Sequence, residues 1–215
     1  DRNHLYTSGI NHEDQPRKPK PQVVALAKEG FDMKTLRGKR SGVMHNKIML
    51  VDDELAGFGS YNLTDVAEHS HFENFIFTKD AGRVASHLKY FQYMHGLAED
   101  VDMAKLDEIL SRTALSMQEA ESADETGAET GVAFVRRPEL PPPPQDTDTP
   151  INLNGEAFPR QLFSPQGRIE AALIRAIKAA KITIEIAMFS FYSQPIAEAL
   201  LEVKNNRPEV AIHIV

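Results

Sequence analysis

The stretch GVMHNKIMLVDDELAGFGSYNLT, Gly42 to Thr64, decides how this chain folds. Ile48 to Val51 form an unbroken apolar run before a polar turn, which reads as a strand buried on both faces. Asp52-Asp53-Glu54 reads as a turn, and LAGFG (55–59) as the hairpin partner beyond it. His45 and Lys47 stand at the entrance of the first strand. Side chains alternate along a strand, so positions two apart share one face. Polar groups placed in a purely structural strand cost free energy without return. The pair therefore points to a site that holds an anion and attacks it.

Outward from this hairpin, helices and strands alternate. PQVVALAKEG (21–30) suits a short helix opened by Pro21 and stopped by Gly30. FDMKTLR (31–37) suits a strand, and FENFIF, Phe72 to Phe77, a further one. Val84, Leu88 and Phe91 recur at helical spacing, giving an amphipathic helix over Ala81 to His95, and another helix is expected over Val101 to Leu115. Nearer the C-terminus, Ile169, Leu173, Ile174 and Ile177 make a helical stripe, and Ile182, Ile184 and Ile186 alternate as in a strand. Ser193-Gln194-Pro195 then opens a helix over roughly 196–205, and EVAIHIV (209–215) reads as a last strand. A strand–helix–strand unit of this kind implies a parallel pair with a right-handed crossover.

Between these halves MQEAESADETGAETG (117–131) is acidic and small, and RRPELPPPPQDTDTP (136–150) holds four consecutive prolines. Such composition buries too little apolar surface to order itself, so 117–158 is expected to be a disordered linker. With 41% hydrophobic and 26% charged residues, the 215-residue chain is otherwise ordinary for a globular protein. No apolar stretch approaches the ~20 residues of a membrane span, so no transmembrane segment and a soluble chain are expected. It contains no cysteine, which removes disulfide and thiolate chemistry. A net charge of −7 argues against an extended nucleic-acid face but not against a local basic site. The first residue is Asp, so a fragment, a processed product or a rearranged chain is expected, with targeting information missing. Nothing selects between a cytoplasmic and a periplasmic home.

The spacing around the hairpin is His45-x-Lys47, four residues, Asp52, six residues, Gly59-Ser60-x-Asn62. Six specified positions recur by chance on the order of 10⁻⁸ per starting point. The pattern resembles the phospholipase D superfamily, which carries His-x-Lys-x4-Asp followed by a Gly-Ser-x-Asn turn. A later glutamate belongs to the same pattern, and Glu73 stands 28 positions after His45. The segment from Phe163 to Val215 looks like the opening part of such a domain, and DRNHLYTSG (1–9) looks like the continuation of that part. The resemblance implies an α/β fold with a mixed, largely parallel sheet flanked by helices. Residues 1–116 would be the C-terminal part of a phospholipase D-like domain, and 159–215 its N-terminal part, in reversed order. A circular permutant, or a piece of a tandem enzyme, would give that order. Either way 166–215 should share one sheet with 1–96, with the Ile182–Ile186 strand beside that of His45.

The chemistry of phosphodiester cleavage gives each residue a task. His45 can attack phosphorus to form a phosphohistidine. Lys47 and Asn62 can hold the non-bridging oxygens, and Ser60 can add a hydroxyl donor. Glu73 can accept from the far nitrogen of a site histidine and fix its tautomer. Asp52 and Gly59 read as structural at the motif. No metal and no cofactor are called for. A metal site formed by His69, His71 and Glu73 on one extended face is the weaker alternative. His4, His12, His87, His95 and His213 have no partner that the sequence names. The RKPK run (17–20) reads as a solvated loop, and Tyr90, Phe91 and Tyr93 as helix packing.

Three readings of different classes are open. The first is a metal-independent phosphodiesterase acting on nucleic acid, since GSYNLT followed by FEN resembles the nuclease and mitochondrial cardiolipin hydrolase branch. The lipid synthases commonly carry an Arg-Ser pair after the turn, where this chain has Asp65-Val66-Ala67. The second is a phospholipase D or phosphatidyl transferase, and the third a catalytically incomplete binding module. One motif is half a site, because a second histidine must protonate the leaving oxygen. The expected partner is therefore a second copy of the motif, in a homodimer or in a missing tandem domain.

Overall fold

A computed structural model describes residues 21–36, 44–104, 106–108, 148–164 and 167–215. The expectations for 1–20, and most of those for the linker, lie outside the described residues. In chain order the elements are α1 (Pro21–Lys28), β1 (Asp32–Thr35), β2 (Lys47–Val51), β3 (Leu55–Gly59) and α2 (Asp65–His69). Then come β4 (Glu73–Thr78), α3 (Ala81–Leu97), β5 (Glu99–Asp100), β6 (Ile151–Leu153), β7 (Glu156–Phe158) and β8 (Gln161–Ser164). The last four are α4 (Ile169–Ala179), β9 (Thr183–Met188), α5 (Gln194–Asn206) and β10 (Ala211–Ile214).

Eight strands make one sheet in the order β5-β1-β10-β9-β2-β3-β4-β8. Residues from both ends of the sequence thus share it, and β9 lies beside the strand that His45 precedes, as the sequence requires. Pairing is parallel only within β1-β10-β9 and antiparallel elsewhere, so the sheet is mixed but not largely parallel. The reason is local. A short turn at 52–54 joins β2 to β3 and forces antiparallel neighbours, whereas β9 and β10 are linked through helix α5. Alternation along the strands divides the interior in two. Met49, Val51, Ile184, Ile186 and Ile214 pack with α1, α4 and α5 on one face, while Ile48, Leu50 and Ala187 pack with Val84, Phe91 and Met94 of α3 on the other.

The linker expected over 117–158 extends too far at its C-terminal end. Residues 151–158 form the β6–β7 hairpin, with Leu153 and Phe158 fully buried. Asn154 and Gly155 both adopt positive φ, 51° and 96°, the requirement of a two-residue turn that matches the strand twist. An Asn-Gly pair between apolar alternations announces such a hairpin, and the proline-rich composition upstream masked it. Two smaller differences concern boundaries. Ile182 is 62% exposed and precedes β9 rather than opening it. Of the helix expected over 101–115, residues 103–104 and 106–108 are helical, 101–102 are not, and 105 and 109–115 lie outside the described residues.

Candidate active site

The strand ends that carry the motif converge at one end of the sheet. Lys47 pairs with Met188, Ile48 with Phe58, and Gly59 with Phe75. The first residue of β2, the last of β3 and the first of β4 therefore lie together at the C-terminal end of β9. This is also the C-terminal end of the parallel block, where open α/β sheets place their ligands.

His45 is exposed, two residues before the start of β2, and Lys47 is buried at 5% exposure. The two share a face as the spacing requires. Lys47 Nζ lies 3.2 Å from His45 Nε2 and donates to the His45 carbonyl at 2.9 Å. An ammonium has only protons to offer, so the Nε2 it meets carries a lone pair. Phe189 closes the other side. Its ring centroid is 4.6 Å from that of His45 and 5.0 Å from Lys47 Nζ. Burial draws the Lys47 pKa below the usual lysine value, and the Glu73 carboxylate opposes that shift. Phe189 escaped the sequence reading because only the register of β9 against β2 reveals it.

Glu73 does not hydrogen-bond His45. Its carboxylate bears on Lys47 and stands 3.7 Å from Nδ1 of His71. His69 belongs to α2, where Asp65 binds its ring, so His69, His71 and Glu73 do not form one extended row. Ser60 is exposed, and its Oγ accepts the Asn74 N–H at 3.1 Å. The Oδ1 atom of Asn62 is buried with no hydrogen-bond partner among the described residues. Gly59 is demanded by space. A Cβ built there would fall 2.1 Å from the Asn74 carbonyl oxygen.

The remaining motif residues hold the site in place. Tyr61, the variable position of the Gly-Ser-x-Asn turn, is fully buried and donates to Glu68 at 3.0 Å. Burial and that carboxylate push the phenol pKa far above its usual value. Glu68 also accepts the Glu170 N–H at the start of α4, and Glu170 in turn receives the hydroxyl of Ser193, the N-cap of α5. The Gly-Ser-x-Asn turn is thereby tied to both helices of the C-terminal segment. Asp52 sits at φ 55° and is buried, with its carboxylate gathering the N–H groups of Lys181, Ile182 and Thr183 and the Asn154 amide. It binds backbone rather than substrate space.

Among the described residues no helix is long and apolar enough to cross a membrane. No curated protein and no solved structure matches the chain. Residues 5–95 match the family model of the cardiolipin synthase PLD-like domain, a span that includes every residue of the His45 constellation. That match supports a phosphodiesterase-type, phospholipase D-like activity. Residues 5–95 of the chain are thus similar to the phospholipase D-like domains that this model describes.

Proposed function

We propose that the chain is a phosphodiesterase working through a covalent phosphohistidine, with nucleic acid as substrate. The observation that carries the reading is the buried Lys47 ammonium directed at the lone pair of the exposed His45 Nε2. A nucleophile capped by a cation is poised for an anion. When a phosphate enters, Lys47 can turn to a non-bridging oxygen and free Nε2 to attack phosphorus in line. Asn62, its carbonyl oxygen turned inward, has its amide group left to meet a second oxygen. The Ser60 hydroxyl retains its proton for a third. The reading needs no metal. Loss of the leaving alkoxide requires an acid, and none of the other described histidines stands beside His45. A second copy of the motif would supply it, which favours two chains sharing one phosphate. In that pair each Glu73 has a histidine to orient across the interface.

Nucleic acid suits the mouth of the site. Phe72 is 81% exposed beside Glu73, a planar surface for a base. The family match carries a lipid-synthase name, which favours phosphatidyl transfer as the second reading. Plasmid nicking and phosphatidyl release, both assayed in EDTA, separate them. Nicking by the native chain that disappears in His45→Asn supports the first reading. Headgroup release without nicking replaces it with the second. Activity that depends on added metal, or persists in His45→Asn, overturns the phosphohistidine mechanism.

A further inference from the structure

Asp32, His95 and His213 come from three separate elements and meet at one point. Asp32 opens β1, His213 lies opposite it in β10, and His95 belongs to the last turn of α3. Oδ2 of Asp32 is 2.6 Å from His213 Nδ1 and 3.2 Å from His95 Nε2, and one ligand atom from each residue lies within 4.8 Å of the others. The two rings stand edge to face, 5.6 Å apart, and His95 stacks on the buried Phe91. His95 Nε2 is buried and makes no hydrogen bond of good geometry among the described residues. One carboxylate oxygen thus faces two ring nitrogens and satisfies only one of them.

We propose that this triad is a binding site for one divalent transition-metal ion of the zinc class. Metal–ligand distances of about 2.0–2.1 Å set tetrahedral ligand atoms roughly 3.3 Å apart. The His95 separation already has that value, and the His213 separation reaches it when the carboxylate withdraws by a fraction of an ångström. Two imidazoles and one carboxylate suit zinc, cobalt or nickel, whereas magnesium and calcium select oxygen ligands. Lys34, whose charge bears on Asp32, is engaged by Asp100 at 2.9 Å. The side chains of Asp32 and His213 are 42% and 35% exposed, which leaves an entry path and a fourth position for water.

The site is distinct from the motif. Asp32, His213 and Glu185 lie in one row across β1, β10 and β9, opposite Leu50 on the α3 face. Lys47 lies three residues from Leu50, about 10 Å along the strand, and on the other face. The ion would clip the β10 segment to β1 and α3, joining the two sequence-distant parts of the sheet. This role is structural and independent of the phosphodiesterase reading.

The test uses the full chain, stripped with EDTA and dialysed. Calorimetric titration with zinc chloride should give one site per chain, with magnesium chloride giving none. Free zinc at roughly a hundred times Kd should raise Tm by about 5–10 °C. His213→Gln and Asp32→Asn should each weaken zinc binding by about a hundredfold. If either variant fails to fold, histidine ring resonances of the unsubstituted chain decide. Substoichiometric zinc should move the signals of His95 and His213 and leave that of His45 in place. Absence of zinc binding overturns the proposal. So does zinc that binds the variants as tightly as the native chain, or that shifts other histidines first.

Discussion

Both carboxylate oxygens of Asp52 accept the backbone N–H of Lys181, at 2.9 and 2.8 Å, across 129 positions of sequence. Together with the bonds from Ile182 and Thr183, this carboxylate fixes where β9 starts relative to the end of β2. Asp52→Ala leaves those buried donors without an acceptor, so a loss of about 3 kcal/mol is expected. Urea unfolding monitored by circular dichroism measures it. A change under about 0.5 kcal/mol would show that water replaces the carboxylate.

Lys47 and Asn62 should matter to rate rather than to folding. Replacing either by alanine should lower turnover by about 10²–10³, the scale of one lost anion donor. Glu73→Gln tests the electrostatics separately. The Glu73 charge raises the Lys47 pKa against the effect of burial. Without it the ammonium loses its proton at lower pH, so the basic limb of the pH–rate profile should move to lower pH. An unmoved basic limb would mean that Lys47 ionisation does not govern turnover.

Glu185 supplies a pH dependence of stability. Burial, with the Asp53 carboxylate nearby, pushes its carboxyl from 4.5 up to about 7. The folded chain therefore holds a proton that the unfolded chain releases. Stability from this group is complete below the unfolded pKa and is lost as pH rises through the folded one. Glu185→Gln keeps the neutral form at every pH. At a pH of about 8 it should exceed the native chain by about 3 kcal/mol, and by much less near a pH of about 4.5. Parallel unfolding free energies across that range would disprove the shift.

Gly59→Ala places a methyl group against the carbonyl oxygen of Asn74. The β3–β4 pairing must spread, at a cost of about 2–3 kcal/mol. Thermal unfolding reads this directly, and an alanine variant with native Tm would mean that the strands have room to part.

Much of the fold is legible in the sequence because the deciding signals are local. The apolar run 48–51, the Asp-Asp turn, the stripe in α4 and the proline at the start of α5 each specify an element within a dozen residues. The shared face of His45 and Lys47 comes from strand alternation alone. What escapes depends on register between distant strands. Phe189 reaches His45 only because β9 pairs with β2, and Asp32 meets His213 only because β1 pairs with β10. The 151–158 hairpin escapes for another reason, since averaging composition over a long window hides a two-residue turn signal. The contact of Glu73 with His71 rather than His45 rests on side-chain directions that spacing does not encode.

The pairing of β2 with β9 also has a kinetic side. Lys47–Val51 must wait for Thr183–Met188 before its second edge is covered. Contacts of such long range close slowly, because a large loop has to be ordered before any of them forms. During synthesis the four apolar residues of β2 emerge well over a hundred residues before their partner strand. The nascent chain therefore carries an unpaired, sticky strand while the intervening residues are made, and its yield should depend on chaperone supply more steeply than its final stability would suggest.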